Sequence, residues 1–202
     1  MKRAIFLIIT AFFLTLFVAK VPNIYAQETV IQTDTPVGID PNASESSMVI
    51  PQRVNYELPY PGMLPDNPFY FLKMARDGIV KMLINDSIKR ARFSLLNGEK
   101  RMYAGKMLVD KSKDQLAVTT ISKSNNYMFE ALDAIRAARK QNSKNLDIRP
   151  FLQQFQTATQ KHQEMMADVE SSIDTKWKKQ FLVEKKRLQG IRASVDSLLL
   201  QK

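Results

Sequence analysis

The chain has no cysteine, one histidine and only six glycines among its 202 residues. The lack of cysteine excludes disulfide bonds, thiolate metal sites, a thiol nucleophile and attachment of a lipid to a cysteine. With a single histidine there is no His-Glu-x-x-His motif, and the Gly-x-Ser-x-Gly motif is also absent. No alternating strand pattern precedes a glycine-rich loop, so nucleotide-binding loops are not expected. We predict a protein without enzymatic activity and without a cofactor.

The N-terminus has the pattern of an export signal. Lys2 and Arg3 precede an apolar run over residues 4–18, which is shorter than the roughly 20 apolar residues of a spanning helix. Ala26 places a small side chain where a signal peptidase would cut. We predict a signal peptide over residues 1–26, cleaved after Ala26. The alternative is an uncleaved anchor; in both cases the working domain is expected outside the cytoplasm.

Charge divides the remainder of the chain into two parts. Residues 27–67 contain one basic and six acidic residues, whereas residues 68–202 contain 26 basic and 14 acidic ones. The first part is rich in Thr, Ser, Pro and Gln, and it has too little apolar surface to offset the entropy lost on ordering. We predict a disordered acidic spacer at residues 27–55 and a basic domain at residues 56–202.

Prolines mark the start of this domain. Pro59, Pro61 and Pro65 favour an extended or turning backbone. Asp66 or Asn67 can then cap a helix that begins at Pro68. The face of this short helix would carry Phe69, Leu72, Arg76, Ile79, Val80 and Leu83.

A motif accompanies this start. It consists of Pro61-Gly62, Leu64-Pro65-Asp66, Pro68, Tyr70 and Leu72-Lys73. The stretch resembles a bacterial family known only as a domain of unknown function, in which a proline-bounded start precedes long charged helices in exported or membrane-anchored proteins. The resemblance covers about residues 56–202. It implies an extracytoplasmic helical domain and supplies no activity, ligand or catalytic residue.

Large and small residues alternate along two long helices that follow Asp86 or Ser87, either of which can cap the first of them. The positions are Ile88, Leu95, Met102 and Val109 with Ala91, Gly98 and Gly105, and then Ile121, Met128 and Ile135 with Ala117, Ser124, Ala131 and Ala138. A glycine inside a helix costs roughly 1 kcal/mol relative to alanine, so both glycines indicate close approach of another helix. The phase breaks near residues 111–113, and Ser112-Lys-Asp-Gln115 has the form of a capping box. We predict a turn there and an antiparallel pair.

Two further helices follow a loop at residues 141–146. Asp147 can cap the first, with Pro150 in its first turn. The apolar stripes are Ile148, Leu152, Phe155, Thr159, His162, Met166, Val169 and Ile173, and then Trp177, Phe181, Glu184, Leu188, Ile191, Val195 and Leu198. A slip near residues 171–174 predicts a turn, and one long bent helix is the alternative. The expected fold is all-α, with a short first helix followed by an antiparallel bundle of four long helices.

His162, Met165 and Met166 form a His-x-x-Met-Met group that cuprous copper could accept outside the cytoplasm. His162 and Met166 also lie on the apolar stripe, where a packed histidine and a gap-filling methionine are ordinary occupants. We therefore interpret the three as core residues and predict no metal site. A copper-handling protein is the alternative interpretation of this group.

Basic residues cluster on the last helix. The candidate surface for an anionic partner is Lys178, Lys179, Lys185, Lys186 and Arg187. Such clusters bind anionic polymers, lipid headgroups or nucleic acid through counterion release, but they also occur as solvated helix faces. The neighbouring Trp177 and Phe181 fall on the core stripe, so stacking on bases is not expected.

The pattern as a whole favours a non-enzymatic, extracytoplasmic interaction module with a chaperone-like or sensory role. Its expected partner is an envelope protein or an anionic envelope polymer. Copper handling and nucleic-acid binding at the cell surface are the alternatives, the latter on charge alone. Contact with a membrane is expected only through an uncleaved N-terminal segment, and neither the partner nor the oligomeric state is indicated.

Overall fold

The computed structural model describes residues 53–141 and 147–201. Within these ranges the chain is all-helical, as predicted, and no strand occurs. The helices are α1 (Tyr70–Leu83), α2 (Ser87–Val109), α3 (Asp114–Gln141), α4 (Arg149–Glu170) and α5 (Thr175–Leu200). None of the helices described is long and apolar enough to cross a membrane. The expected export signal, all but the last three residues of the expected spacer and the loop at 142–146 lie outside the described residues.

The four long helices form the bundle. The most extensive interface joins α2 to α3, and α4 packs against α5. These pairs contact each other through α3 with α5 and through α2 with α4, so each long helix has two neighbours. The buried residues form two apolar clusters. The larger side chains are Leu95, Met128, Ile135, Leu152 and Phe155 in one cluster, and Met102, Ile121, Met166, Phe181 and Leu188 in the other.

Two glycines let α2 and α3 approach closely. A Cβ atom at Gly105 would lie 2.5 Å from Cγ1 of Ile121, and one at Gly98 would lie 2.8 Å from Sδ of Met128. The hydroxyl of Ser124 also donates a 2.7 Å hydrogen bond to the carbonyl of Gly98. Each glycine therefore receives a large residue of α3, and the predicted antiparallel seam is confirmed.

The turn between α2 and α3 lies where the phase break predicts it, but its chemistry differs from the prediction. Ser112 has a φ of 56°, in the left-handed region. Its N–H donates to the carbonyl of Val109 at 2.8 Å, and the N–H of Lys113 donates to Leu108 at 2.9 Å. These two bonds are a Schellman motif that ends α2. The predicted capping box is wrong, because an N-cap residue needs extended backbone and α3 begins only at Asp114.

Carboxylates stand before three of the helices. Asp86, Asp147 and Asp174 precede α2, α4 and α5, and each accepts a hydrogen bond from a backbone N–H of the following helix at 2.7 to 3.1 Å. Such bonds satisfy donors that have no partner within the helix. Asp174 also separates α4 from α5, so the predicted turn at residues 171–174 is confirmed and the single bent helix is not observed.

The segment before α1 lies across α2 and α4. The N–H of Val54 donates to Oε2 of Glu164 at 2.9 Å, and the hydroxyl of Tyr56 donates to the carboxylate of Glu99. Glu99 is buried, and the loss of hydration raises its pKa to about 7 although the bond from Tyr56 opposes the shift. Within the described residues, Arg53 also pairs with Asp168 at 3.8 Å, so contacts with the bundle include residues ahead of the predicted domain boundary at residue 56.

These contacts predict different stabilities for two N-terminal deletion variants. Removal of residues 27–50 should leave thermal unfolding, followed by circular dichroism, nearly unchanged, because that stretch has the composition of a spacer. Extending the deletion through residue 57 should lower the free energy of unfolding by about 1 to 2 kcal/mol, because Glu99 loses its hydrogen-bond donor. A large loss of stability from the shorter deletion would contradict the spacer interpretation.

Candidate interaction surfaces

The basic residues of α5 are the predicted partner surface. The helix carries seven basic and two acidic residues. At 100° per residue the five predicted positions spread over about 200° of the helix circumference, so they do not share one face. Lys178, Lys179 and Lys186 are exposed, and no ion pair involves them within the part of the chain that the structure describes. Lys179 and Lys186 are seven residues apart and lie on the same side of α5.

Lys185 and Arg187 have partners inside the domain. Lys185 pairs with Glu170 of α4, which joins the two helices. Arg187 lies 2.9 Å from the carboxylate of Glu184, which is only 5 % exposed and also accepts a 2.9 Å bond from Asn125. A buried carboxylate needs such partners because it has lost its hydration. The part of the predicted surface available to a partner is therefore the three exposed lysines.

His162, Met165 and Met166 lie in the core, with exposed fractions of 0, 7 and 0 %. Neither ring nitrogen of His162 has a hydrogen-bond partner within the described residues, and burial lowers the pKa of its imidazole to about 3. In the same described part, no group of three or more His, Asp or Glu side chains could hold a metal ion. Packing accounts for the positions of all three residues, and copper binding stays an untested hypothesis.

α1 binds the bundle through its polar side. Arg101 of α2 donates a hydrogen bond to the hydroxyl of Tyr70. The same guanidinium lies 4.7 Å from the ring centroid of Tyr127, a cation–π arrangement. At the other end of α1, Lys81 forms a 2.7 Å ion pair with Glu130 of α3. Polar contacts with α2 and α3 therefore fix the orientation of α1.

The segment that leads into α1 is held in the same way. Asp66 pairs with Lys111 at 3.1 Å and with Lys113 at 2.8 Å, both in the turn between α2 and α3. Hydrogen bonds from these two ammonium groups hold the pKa of Asp66 below its usual value. Lys73 in α1 donates to the carbonyl of Pro61 at 2.5 Å. The proline-bounded segment and α1 are thus one attached unit.

The apolar side of α1 faces solvent. Phe71, Ile79, Met82 and Leu83 are exposed by 61, 60, 84 and 73 %, and Leu72 by 52 %. The buried residues of this helix are instead Tyr70 and Asp77. The helix is amphipathic as the sequence indicates, but the side that the pattern would place in a core is turned outward.

This surface was missed by reasoning from the sequence. The available signal was a second periodicity, in which Tyr70, Lys73, Asp77 and Lys81 recur every three or four residues. A polar stripe of this kind normally faces water. Its partners Arg101 and Glu130 lie 31 and 49 residues from the α1 residues that they bind, and nothing in the local pattern connects them.

A family model described as a domain of unknown function, DUF5667, matches residues 62–194. The chain belongs to this family. The match begins within the proline-bounded segment and extends into α5, so α1 is part of the DUF5667 domain. The predicted resemblance to a domain of unknown function is confirmed. Neither the curated proteins nor the solved structures contain a match to the chain.

Proposed function

We propose that this DUF5667 protein is a non-enzymatic interaction module of the cell envelope that binds an anionic partner outside the cytoplasm. The observation that carries the proposal is the exposure of Lys178, Lys179 and Lys186 on α5, without ion pairs inside the described domain. The export signal expected at residues 1–26 supports the location. The partner is an anionic envelope polymer or the acidic surface of an envelope protein.

The exposed lysines differ physically from the other basic residues of α5. Lys185 and Arg187 are already neutralised by Glu170 and Glu184, so a partner gains little from them. An exposed ammonium group that has no internal partner can neutralise a phosphate, sulfate or carboxylate of a ligand. Where the ligand is a polyanion, the release of its condensed counterions favours binding. The geometry therefore concentrates the proposed site on three residues.

A retention assay on heparin resin tests the site. The parent protein should bind, and its retention should fall steeply between roughly 50 and 200 mM salt. The double substitution Lys179→Gln and Lys186→Gln should weaken retention strongly. The matched control, Lys123→Gln with Lys140→Gln, removes the same charge from exposed positions on α3 and should bind nearly as well as the parent.

The two arms of the assay test different parts of the proposal. Equal losses in the two double variants would show that net charge, and not the α5 surface, determines retention. A parent protein that the resin does not retain even at low salt would exclude a polyanion and leave a protein partner.

Arg187 should behave differently from its exposed neighbours. Arg187→Gln should lower the free energy of unfolding by about 1 to 3 kcal/mol, because the buried carboxyl group of Glu184 would lose one of its partners. Lys186→Gln should change stability by less than about 0.5 kcal/mol. Urea denaturation at neutral pH measures both. Equal stability of the two variants would show that the Arg187–Glu184 pair does not stabilise the fold.

A further inference from the structure

One apolar surface of the domain has no role in its packing. We define the outer face of α1 as Phe71, Leu72, Ile79, Met82 and Leu83, all of which are more than half exposed. At 100° per residue these five side chains fall within about 120° of the helix circumference. The arc contains no charged residue, since Lys73, Arg76, Asp77 and Lys81 all lie outside it.

The outer face cannot simply turn into the bundle. Rotation of α1 would break the hydrogen bond from Arg101 to Tyr70 and the ion pair of Lys81 with Glu130. It would also move Asp77, which is 6 % exposed, away from its present environment. A cluster of exposed apolar side chains that is held outward in this way is typical of a surface that binds a membrane or another protein.

The charges around the outer face indicate which kind of partner it binds. Residues 69–92 contain six basic and two acidic residues. One of the two acids, Asp77, is buried and pairs with Arg76 of the same helix at 2.7 Å. Arg76 borders the apolar arc but is paired with Asp77, whereas Lys89 and Arg90 are exposed at the start of α2 immediately after it and form no ion pair within the described residues. An apolar helix face with a basic border is the pattern of helices that lie in the interface of an anionic membrane.

We infer that the outer face of α1 docks on a lipid bilayer that carries anionic headgroups. Phe71, Met82 and Leu83 would enter the boundary between headgroups and acyl chains, and Lys89 and Arg90 would contact the headgroups. The helix has 14 residues and is about 21 Å long, which is too short to span the roughly 30 Å hydrocarbon layer. It would therefore lie along the membrane surface.

A second copy of the chain fits the same surface less well. A symmetric dimer through α1 would bring the two basic borders together, because both subunits use the same patch in such an interface. Like charges at close range oppose that association. The bilayer surface instead offers opposite charge beside an apolar layer.

Because the chain contains no cysteine, a single introduced cysteine can report on one position. Met82→Cys and Leu200→Cys form a matched pair, since both native side chains are 84 % exposed. Each full-length variant is labelled with an environment-sensitive fluorophore and mixed with vesicles of phosphatidylglycerol and phosphatidylcholine. Nitroxide groups on the lipid acyl chains then quench a label that enters the bilayer. The comparison holds whether or not residues 1–26 bind lipid, because both variants contain them equally.

We expect a blue shift and strong quenching for the label at position 82, and little of either at position 200. Vesicles of phosphatidylcholine alone should give a much weaker signal at position 82, because they lack the anionic headgroups. Equal behaviour of the two labels with anionic vesicles would overturn the inference. A blue shift at position 82 that grows with protein concentration in the absence of vesicles would also overturn it, in favour of a second copy.

Substitution of the face provides an independent test by vesicle flotation. Phe71→Asp with Leu83→Asp should weaken binding to the anionic vesicles on the order of tenfold or more. The control, Leu182→Asp with Val183→Asp, changes two exposed apolar residues of α5 and should bind like the parent. Equal losses in both variants would contradict docking through α1. Heparin retention should be unchanged in the α1 variant, so failure of this inference is distinguishable from failure of the α5 proposal.

Discussion

Replacing Gly105 with leucine should lower the free energy of unfolding by at least about 2 kcal/mol, although leucine is the better helix former. The first added atom would already lie 2.5 Å from Cγ1 of Ile121, closer than van der Waals contact permits. Ile121 is fully buried and branched at Cβ, so it cannot turn away without disturbing the rest of the seam. Overpacking typically costs about 1 to 3 kcal/mol, whereas the gain in helix propensity is about 0.8 kcal/mol.

Two other glycines serve as controls for this result. A Cβ atom added at Gly190 would meet no neighbouring side chain or helix within 4 Å, so Gly190→Ala should stabilise the protein by up to about 1 kcal/mol. At Gly98 the nearest atom is the Sδ of Met128, which is flexible, so Gly98→Ala should cost less than Gly105→Ala. Urea denaturation of all the variants gives the order. A neutral Gly105→Leu would show that the two helices can separate at little cost.

His162→Leu should make the protein more stable than the parent at acid pH, by about 2 to 3 kcal/mol near pH 4.5. Burial lowers the pKa of the imidazole from 6.5 to about 3. Between these two values the unfolded chain binds a proton that the folded protein does not bind, so the parent loses stability as the pH falls. Leucine does not bind a proton in either state, so this pH-dependent loss of stability disappears. The substitution also removes two ring nitrogens that have no hydrogen-bond partner in the described core.

Glu99 provides the internal comparison for the pH series. Burial raises its pKa from 4.5 to about 7, so the folded protein takes up a proton before the unfolded chain does, and acidification through this window favours folding. Its effect is common to the parent and to His162→Leu, and it cancels in the difference between them. Urea denaturation at several pH values measures that difference. A difference that does not grow between pH 6.5 and about 4.5 would show that His162 is protonated or hydrated in the fold.

The core of the bundle could be predicted from the sequence because its periodicity is local. The stripe from Leu152 to Val169 and the glycine seam of α2 both follow helical spacing, and both are buried as expected. The carboxylates before α2 and α5 were also predictable, because a cap depends on residues within one helical turn. The role of Ser112 could not be predicted in this way, since the same residue type can begin one helix or end another.

The candidate surfaces were less predictable, because ion pairing depends on residues that are distant in sequence. Lys185 and Lys186 are chemically equivalent neighbours, yet one pairs with Glu170 of α4 and the other is exposed. Arg187 differs from both, because it neutralises a carboxylate within the core. Charge counts alone cannot separate these three roles, which depend on the rotation of α5 against its neighbours.

The sequence by itself determined the all-α class, the four long helices, the residues of their core and the family of the domain. These properties follow from periodicity and short motifs, which the chain carries in every conformation. The tertiary structure alone decided which side of α1 meets the bundle. Arg101 and Glu130 supply partners to the polar side of that helix. Because polar and charged groups can be buried only where they find such partners, the polar side packs on the bundle and the apolar side faces outward.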